Sequence, residues 1–213
     1  LGGFGLFLSS RDLQLGRGET VSDTGKVFSR YLDGIMIRTF DHSEVEELAE
    51  AADIPVINGL TDLLHPCQAL ADLMTIREYK GALSGLKLVF VGDGNNVAHS
   101  LAFAGAKTGM DVTICCPPGY EPDIEVMVRA QKDALQTGAK LQVSHEISAV
   151  AGADIIAEQL CPYPYVSYFF PSSSPITHNS FTSSIQHSFP DAVLPPSLAE
   201  RLLLRMFSGR TGR

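Results

Sequence analysis

The chain has 213 residues, 45% of them apolar and 19% charged, with a mean hydropathy of +0.10. It is long enough to bury a core, it contains no apolar run of about 18 residues that could cross a membrane, and its opening LGGFGLFLSS lacks the basic stretch of a secretory signal. Sixteen Lys+Arg against 24 Asp+Glu leave a net charge of −8, which excludes a nucleic-acid backbone as the main partner.

In chain order, Val21–Leu32 reads as a helix and Gly34–Thr39 (GIMIRT) as a buried strand. Ser43-Glu44-Val45-Glu46 reads as a capping box opening a helix through Ala52. Pro55–Asn58 is a short strand, and Pro66 suits the first position of a helix reaching about Lys80. Leu86–Val91 (LKLVFV) is an apolar run of the kind buried in a parallel sheet. A helix from about Asn96 to Thr108, a strand Val112–Cys116, a helix Asp123–Gln136 and strands at Leu141–Ser144 and Asp154–Ile156 complete the series. Strands alternating with helices in this way predict βαβ crossovers. The fold class expected is α/β, with two parallel-sheet, Rossmann-like domains, both incomplete, joined by a helix. The boundaries are residues 1–65, the connecting helix 66–80, and residues 81–156.

The composition changes after residue 156. Residues 157–213 hold seven of the 12 prolines, ten serines and only two of the 19 glycines, and carry +1 where residues 1–156 carry −9. The stretch has neither helical nor strand period. It is expected to be an irregular tail: a linker, a disordered segment or an altered reading frame. Within it only Pro196–Phe207 could form a short helix, capped by Ser197. Four cysteines (Cys67, Cys115, Cys116, Cys161) form no C-x-x-C, so neither a disulfide framework nor a zinc knuckle is indicated, and a reducing compartment is expected.

In open α/β sheets ligands gather at the carboxyl ends of strands. Arg38 follows Ile35-Met36-Ile37 at such an end. It could pair with an acid such as Asp41, or its planar donors could clamp a phosphate or carbonyl oxygen. His65-Pro66-Cys67-Gln68 places an imidazole just before a helix and a carboxamide in its first turn. The imidazole could cap the helix, or it could donate to a developing oxyanion. Metal ligation is disfavoured, because no second ligand stands at i+3 or i+4 and Asp72 is seven residues away.

Gly92-Asp93-Gly94-Asn95-Asn96-Val97 follows a strand and opens a helix, which invites a dinucleotide reading. Val97 stands where the third glycine belongs, however, and the next strand ends in Cys115-Cys116-Pro117 with no acid for a ribose. Asn95 and Asn96 instead offer amides suited to a zwitterion. Asp12–Thr20 could reach a ligand or be merely solvated. Cys115 and Cys116 should pack at the sheet, and the Glu44–Glu50 carboxylates read as a solvated helix face.

Taken together, LFLSSRDLQLGRGET, IMIRTFDH, INGLTDLLHPCQALADL and VGDGNNVAHS resemble the ornithine carbamoyltransferase family in order and spacing, from Leu1 to about Ile156. The resemblance implies one domain for carbamoyl phosphate and one for L-ornithine, a homotrimer with sites at subunit boundaries, and no metal or organic cofactor. It gives Arg38, His65 and Gln68 to carbamoyl phosphate, with Arg38 and His65 as catalytic groups, and Asn96 to ornithine. The implied reaction forms citrulline and phosphate, in arginine biosynthesis.

The chain also departs from the family's pattern. The Ser-Thr-Arg-Thr-Arg phosphate loop would lie before LGG. Ala157-Glu158-Gln159-Leu160 stands where Asp-x-x-x-Ser-Met-Gly is expected, and Leu160-Cys161-Pro162 lacks the histidine of the family's His-Cys-Leu-Pro, so Cys161 is given no role. The chain alone is therefore expected to be inactive, with an exposed sheet edge. A non-catalytic interaction protein on the same scaffold, or a carbamoyltransferase of different amine specificity, using aspartate or putrescine, are the alternatives. The compartment expected is the cytoplasm, or a mitochondrion or plastid if a transit peptide is missing.

Overall fold

The computed structural model describes residues 2–9, 13–14 and 18–159, together with the backbone of residues 184–186. The Pro196–Phe207 helix expectation, and all of the tail except residues 157–159 and 184–186, lie outside the described residues.

The first half is built from α1 (Val21–Phe28), β1 (Ile35–Arg38), α2 (His42–Ala51) and β2 (Val56–Leu60), with β1 and β2 parallel. α1 starts at the Thr20 cap, whose side chain accepts from Asp23 N. It ends four residues earlier than expected, where the Ser29 hydroxyl donates to Gly25 O at 2.7 Å and the chain tightens into turns. α2 is capped by Asp41 rather than by Ser43, so the expected capping box is corrected. The Asp41 carboxylate accepts from Ser43 N and Ser43 Oγ at 2.9 and 2.8 Å, and Glu46 faces His42 instead. The two helices pack where Gly25 meets Leu48 and Ala51; a Cβ on Gly25 would lie 3.2 Å from that of Ala51.

α3 (Pro66–Lys80) follows, with Pro66 in its first turn and Gly81 closing it in the left-handed conformation. The second half continues with β3 (Lys87–Val91), α4 (Asn96–Thr108), β4 (Asp111–Cys115), α5 (Ile124–Thr137), β5 (Leu141–Ser144) and β6 (Ile155–Glu158). β5, β4, β3 and β6 lie side by side in that order, all parallel. β7 (Ser184–Gln186) adds antiparallel to β6, where the sequence predicted an open edge.

The main core belongs to this half. Leu88 and Phe90 of β3, Val112 and Ile114 of β4, Leu101 of α4 and Ala130 of α5 are buried together, and Ala69, Leu73 and Ile76 bring α3 into the same cluster. Gly105 sets how closely α4 approaches the sheet: a Cβ there would come within 2.2 Å of Val112 Cγ2. Cys115 and Cys116 are buried thiols at the end of β4, as the sequence suggested, and burial pushes the Cys116 thiol up to about 11. The expected fold class, two parallel α/β units joined by a helix, is what forms.

Candidate active site

The carboxyl ends of β1, β2 and β3 meet at the seam between the halves. β1 and β2 pair Ile37 with Asn58, but the next pair is Arg38 with Leu60. Gly59 is thus an extra residue in β2, and a Cβ on it would lie 3.0 Å from Ile37 O. Such a bulge twists the strand locally and re-aims the neighbouring side chain. Arg38 leaves the end of β1 exposed. The expected pair with Asp41 is absent, because that carboxylate is committed to capping α2; among the described residues Arg38 forms no ion pair.

His65 caps α3, as one of its two readings held. Its Nδ1 accepts from Gln68 N at a long 3.4 Å, which leaves the proton of a neutral imidazole on Nε2. Burial, and then the Arg38 charge, hold the imidazole below the usual 6.5. A neutral donor and a cationic donor therefore sit close enough to feel each other, and capping is compatible with donating from the opposite nitrogen. Gln68, one turn into α3, donates from Nε2 to Asp72 Oδ1 at 2.9 Å.

Asn96 crosses the seam. Its Nδ2 donates to Thr61 O, just beyond β2, at 2.6 Å, which leaves Oδ1 as its remaining polar atom. Ser100, one turn further along α4, accepts from His65 N at 2.8 Å and donates to Asn96 O at 2.7 Å. A single hydroxyl thus links the backbones of two predicted site residues. The buried His99 does similar work: Nδ1 bonds Leu63 O and Nε2 accepts from Asp123 N, both at 2.9 Å. Accepting at Nε2 places its proton on Nδ1. Thr61 is wholly buried and ties Leu64 N and O to the His42 ring.

His65, Gln68 and Asn96 are therefore brought into one hydrogen-bonded region, with Arg38 beside it. Ser100, His99, Thr61 and Asp72 were not singled out as site residues. The available signal was spacing: Asn96 to Ser100, and Gln68 to Asp72, are each one helical turn apart.

The glycines of GDG serve the chain itself. A Cβ on Gly94 would lie 2.2 Å from Pro122 N, and one on Gly92 would lie 3.0 Å from Gln159 O. Asn95 Oδ1 accepts from Val97 N and Ala98 N, which occupies the first amides of α4. A pyrophosphate would have to displace backbone and cap together, so these residues do not fit a dinucleotide. Asn95 Nδ2 also holds Gln159 at 2.8 Å, beside the half-buried Glu158, whose carboxyl is raised by burial. Among the described residues no cluster of His, Cys, Asp and Glu could hold a metal.

A helix-linked pair of parallel α/β units thus gathers His65, Gln68 and Asn96 at its seam, with Arg38 beside them. Residues 1–78 match the model of the aspartate/ornithine carbamoyltransferase carbamoyl-P binding domain, and residues 84–160 that of the Asp/Orn binding domain. The chain belongs to the aspartate/ornithine carbamoyltransferase family. It is 59% identical over 157 residues to the ornithine carbamoyltransferase of Carboxydothermus hydrogenoformans, and 57% to that of Thermococcus kodakarensis. Each alignment covers 73% of this chain and 50% of the relative, so the chain spans about half the length of these relatives. The solved ornithine carbamoyltransferase of Pyrococcus furiosus superposes with a TM-score of 0.72 at 53% identity, covering 75% of this chain and 51% of that one.

Proposed function

We propose that this chain supplies part of the active site of a carbamoyltransferase that transfers the carbamoyl group of carbamoyl phosphate to the δ-amine of L-ornithine. Arg38 and the Nε2–H of His65 would donate to the carbamoyl carbonyl oxygen, and Gln68 would hold the carbamoyl NH2. Asn96 would offer Oδ1 to the amino acid. The neutral amine attacks the carbamoyl carbon, a C–N bond forms, and the carbonyl oxygen becomes negative. The C–O bond to phosphate then breaks as the surplus amine proton leaves with it, giving citrulline. Donors aimed at that oxygen stabilise the intermediate most, and each is worth a factor of about a hundred or more in rate. Alignment of the two substrates across the seam supplies the rest.

The observation that carries this reading is the linkage of His65, Gln68 and Asn96 at one seam with Arg38 beside them. No metal or organic cofactor enters the proposed reaction. On the family resemblance alone, the proposal extends to arginine biosynthesis, a homotrimer, and the cytoplasm, with a mitochondrion or plastid as the alternative. No helix among the described residues is long and apolar enough to cross a membrane.

The test grafts residues 2–159 into the Carboxydothermus enzyme in place of its matching segment. Citrulline formation is expected, falling about a hundredfold or more with Arg38→Ala or His65→Ala. A folded graft that makes no citrulline overturns the reading; one that carbamoylates aspartate or putrescine instead reassigns the acceptor.

A further inference from the structure

α3 carries a buried acid that the proposed chemistry leaves unused. Asp72 is only 6% exposed, and among the described residues its carboxylate accepts from Gln68 Nε2 at 2.9 Å. Among the described residues no ion pair includes it. A carboxylate kept out of water without a counter-charge is costly, so its position calls for a reason.

We propose that Asp72 is a positioning residue: its ionised carboxylate holds the Gln68 carboxamide with Nε2 inward and Oε1 toward the seam, where that oxygen selects an NH2-bearing acyl phosphate. The inference rests on the carbamoyl reading for the identity of that NH2, but the Gln68–Asp72 pair stands without it. A carboxamide donates at one end and accepts at the other, whereas an ionised carboxylate only accepts. The acid therefore decides which end of Gln68 faces out. Arg38 and the Nε2–H of His65 are donors alone, so beside them an outward oxygen on Gln68 is what an NH2 group needs. Acetyl phosphate has a methyl group in that place. It would leave the oxygen unpaired, and a site built to receive an N–H rejects the analogue lacking it. A protonated Asp72, or an asparagine, can donate as well as accept, and the selection is lost.

The surroundings leave this switch to the pair itself. β2 carries no titratable side chain. α4 carries His99, tied to Leu63 and Asp123, and Lys107, paired with Asp133. In the preceding loop Asp62 accepts from His42 N, and His65 is engaged with Gln68 N. On α3 itself Cys67 bonds Asn58 O, and Arg77 and Lys80 occupy the last turn. Burial pushes the Asp72 carboxyl up to about 6, while the bond from Gln68 pulls it down.

The test follows the Gln68 side-chain amide signals of the 213-residue chain by NMR from about pH 5 to about pH 8, assigned by their loss in Gln68→Met. They are expected to titrate with a midpoint near 6 and to stop titrating in Asp72→Asn. A flat wild-type response, or the same titration in Asp72→Asn, overturns the proposal, and the wild-type arm needs no variant to fold. Above the midpoint, carbamoyl phosphate is then competed against acetyl phosphate in the Carboxydothermus enzyme carrying residues 2–159 as its matching segment. The preference for carbamoyl phosphate is expected to narrow about tenfold in Asp72→Asn. An unchanged preference sinks the positioning role while leaving the carbamoyl reading intact. If neither acyl phosphate binds, the carbamoyl reading falls and the Gln68–Asp72 pair stands on its titration.

Discussion

His65 is pulled down by burial first and the Arg38 charge second, both of which disfavour the imidazolium and together outweigh a backbone hydrogen bond that favours it. Its folded value lies below 6.5, so the folded state binds fewer protons than the unfolded chain between the two values. The contribution of this group to stability is accordingly complete above 6.5 and declines as pH falls through the folded value. An NMR titration of the His65 ring should give a midpoint under 6.5, and Arg38→Ala should raise it. A midpoint that stays put would show that the guanidinium does not face the ring. The positions of His65 and Arg38 were legible in their types and places: an imidazole before Pro66, capping α3, and a guanidinium at the end of an apolar strand. Ser100 and Asp72 were not, because a serine and an aspartate inside helices have many ordinary uses. Only a fold that sets α4 against the loop before α3 turns the Ser100 hydroxyl toward His65 N.

Most of the helices and strands were legible because apolar period and punctuation agree, as in Pro66–Lys80, where a proline opens the helix and a left-handed glycine closes it. The misses came where two polar residues compete for one cap. Asp41 wins over Ser43 because its carboxylate satisfies both the amide and the hydroxyl of Ser43. The GDG turn was legible as a turn, but not for its cause. Gly94 is glycine because the 121–122 backbone lies against it, and Gly94 N donates to Tyr120 O at 2.9 Å. Flexible side chains can retreat from an added methyl group; this backbone is pinned through Asp123 N to His99. Gly94→Ala should therefore cost about 3 kcal/mol, at the upper end of overpacking effects. Gly119→Ala meets no neighbouring atom, so its cost reflects only the left-handed backbone. Urea unfolding of the two variants would separate these effects; an equal loss at both positions would mean that the close approach is not what Gly94 serves.

The two halves differ in how much they bury. The second has a continuous core running through α3, α4, α5 and the sheet, while among the described residues of the first the buried apolar side chains are Val45 and Leu48. Met36 and Ile57 stand exposed on the two-stranded sheet. That asymmetry was not legible from composition, since GIMIRT read as a buried strand and PVIN as a short one; which face a strand buries depends on what packs against it. It makes the seam bonds the means by which the stronger half orders the weaker. Asn96 Nδ2 holds Thr61 O, Ser100 Oγ holds His65 N, and His99 Nδ1 bonds Leu63 O. All three come from α4, and all three reach the 61–65 loop that carries the proposed substrate groups. Ser100→Ala leaves the His65 amide without its acceptor, at a cost of about 1–3 kcal/mol. Hydrogen exchange should then accelerate at His65 and along α1, β1 and β2, while Phe90 and Ile114, deep in the larger core, keep their protection. Equal loss of protection in both halves would mean that they open as one unit, and that the seam transmits rather than localises strain. Unchanged exchange everywhere would remove Ser100 from the support of the site.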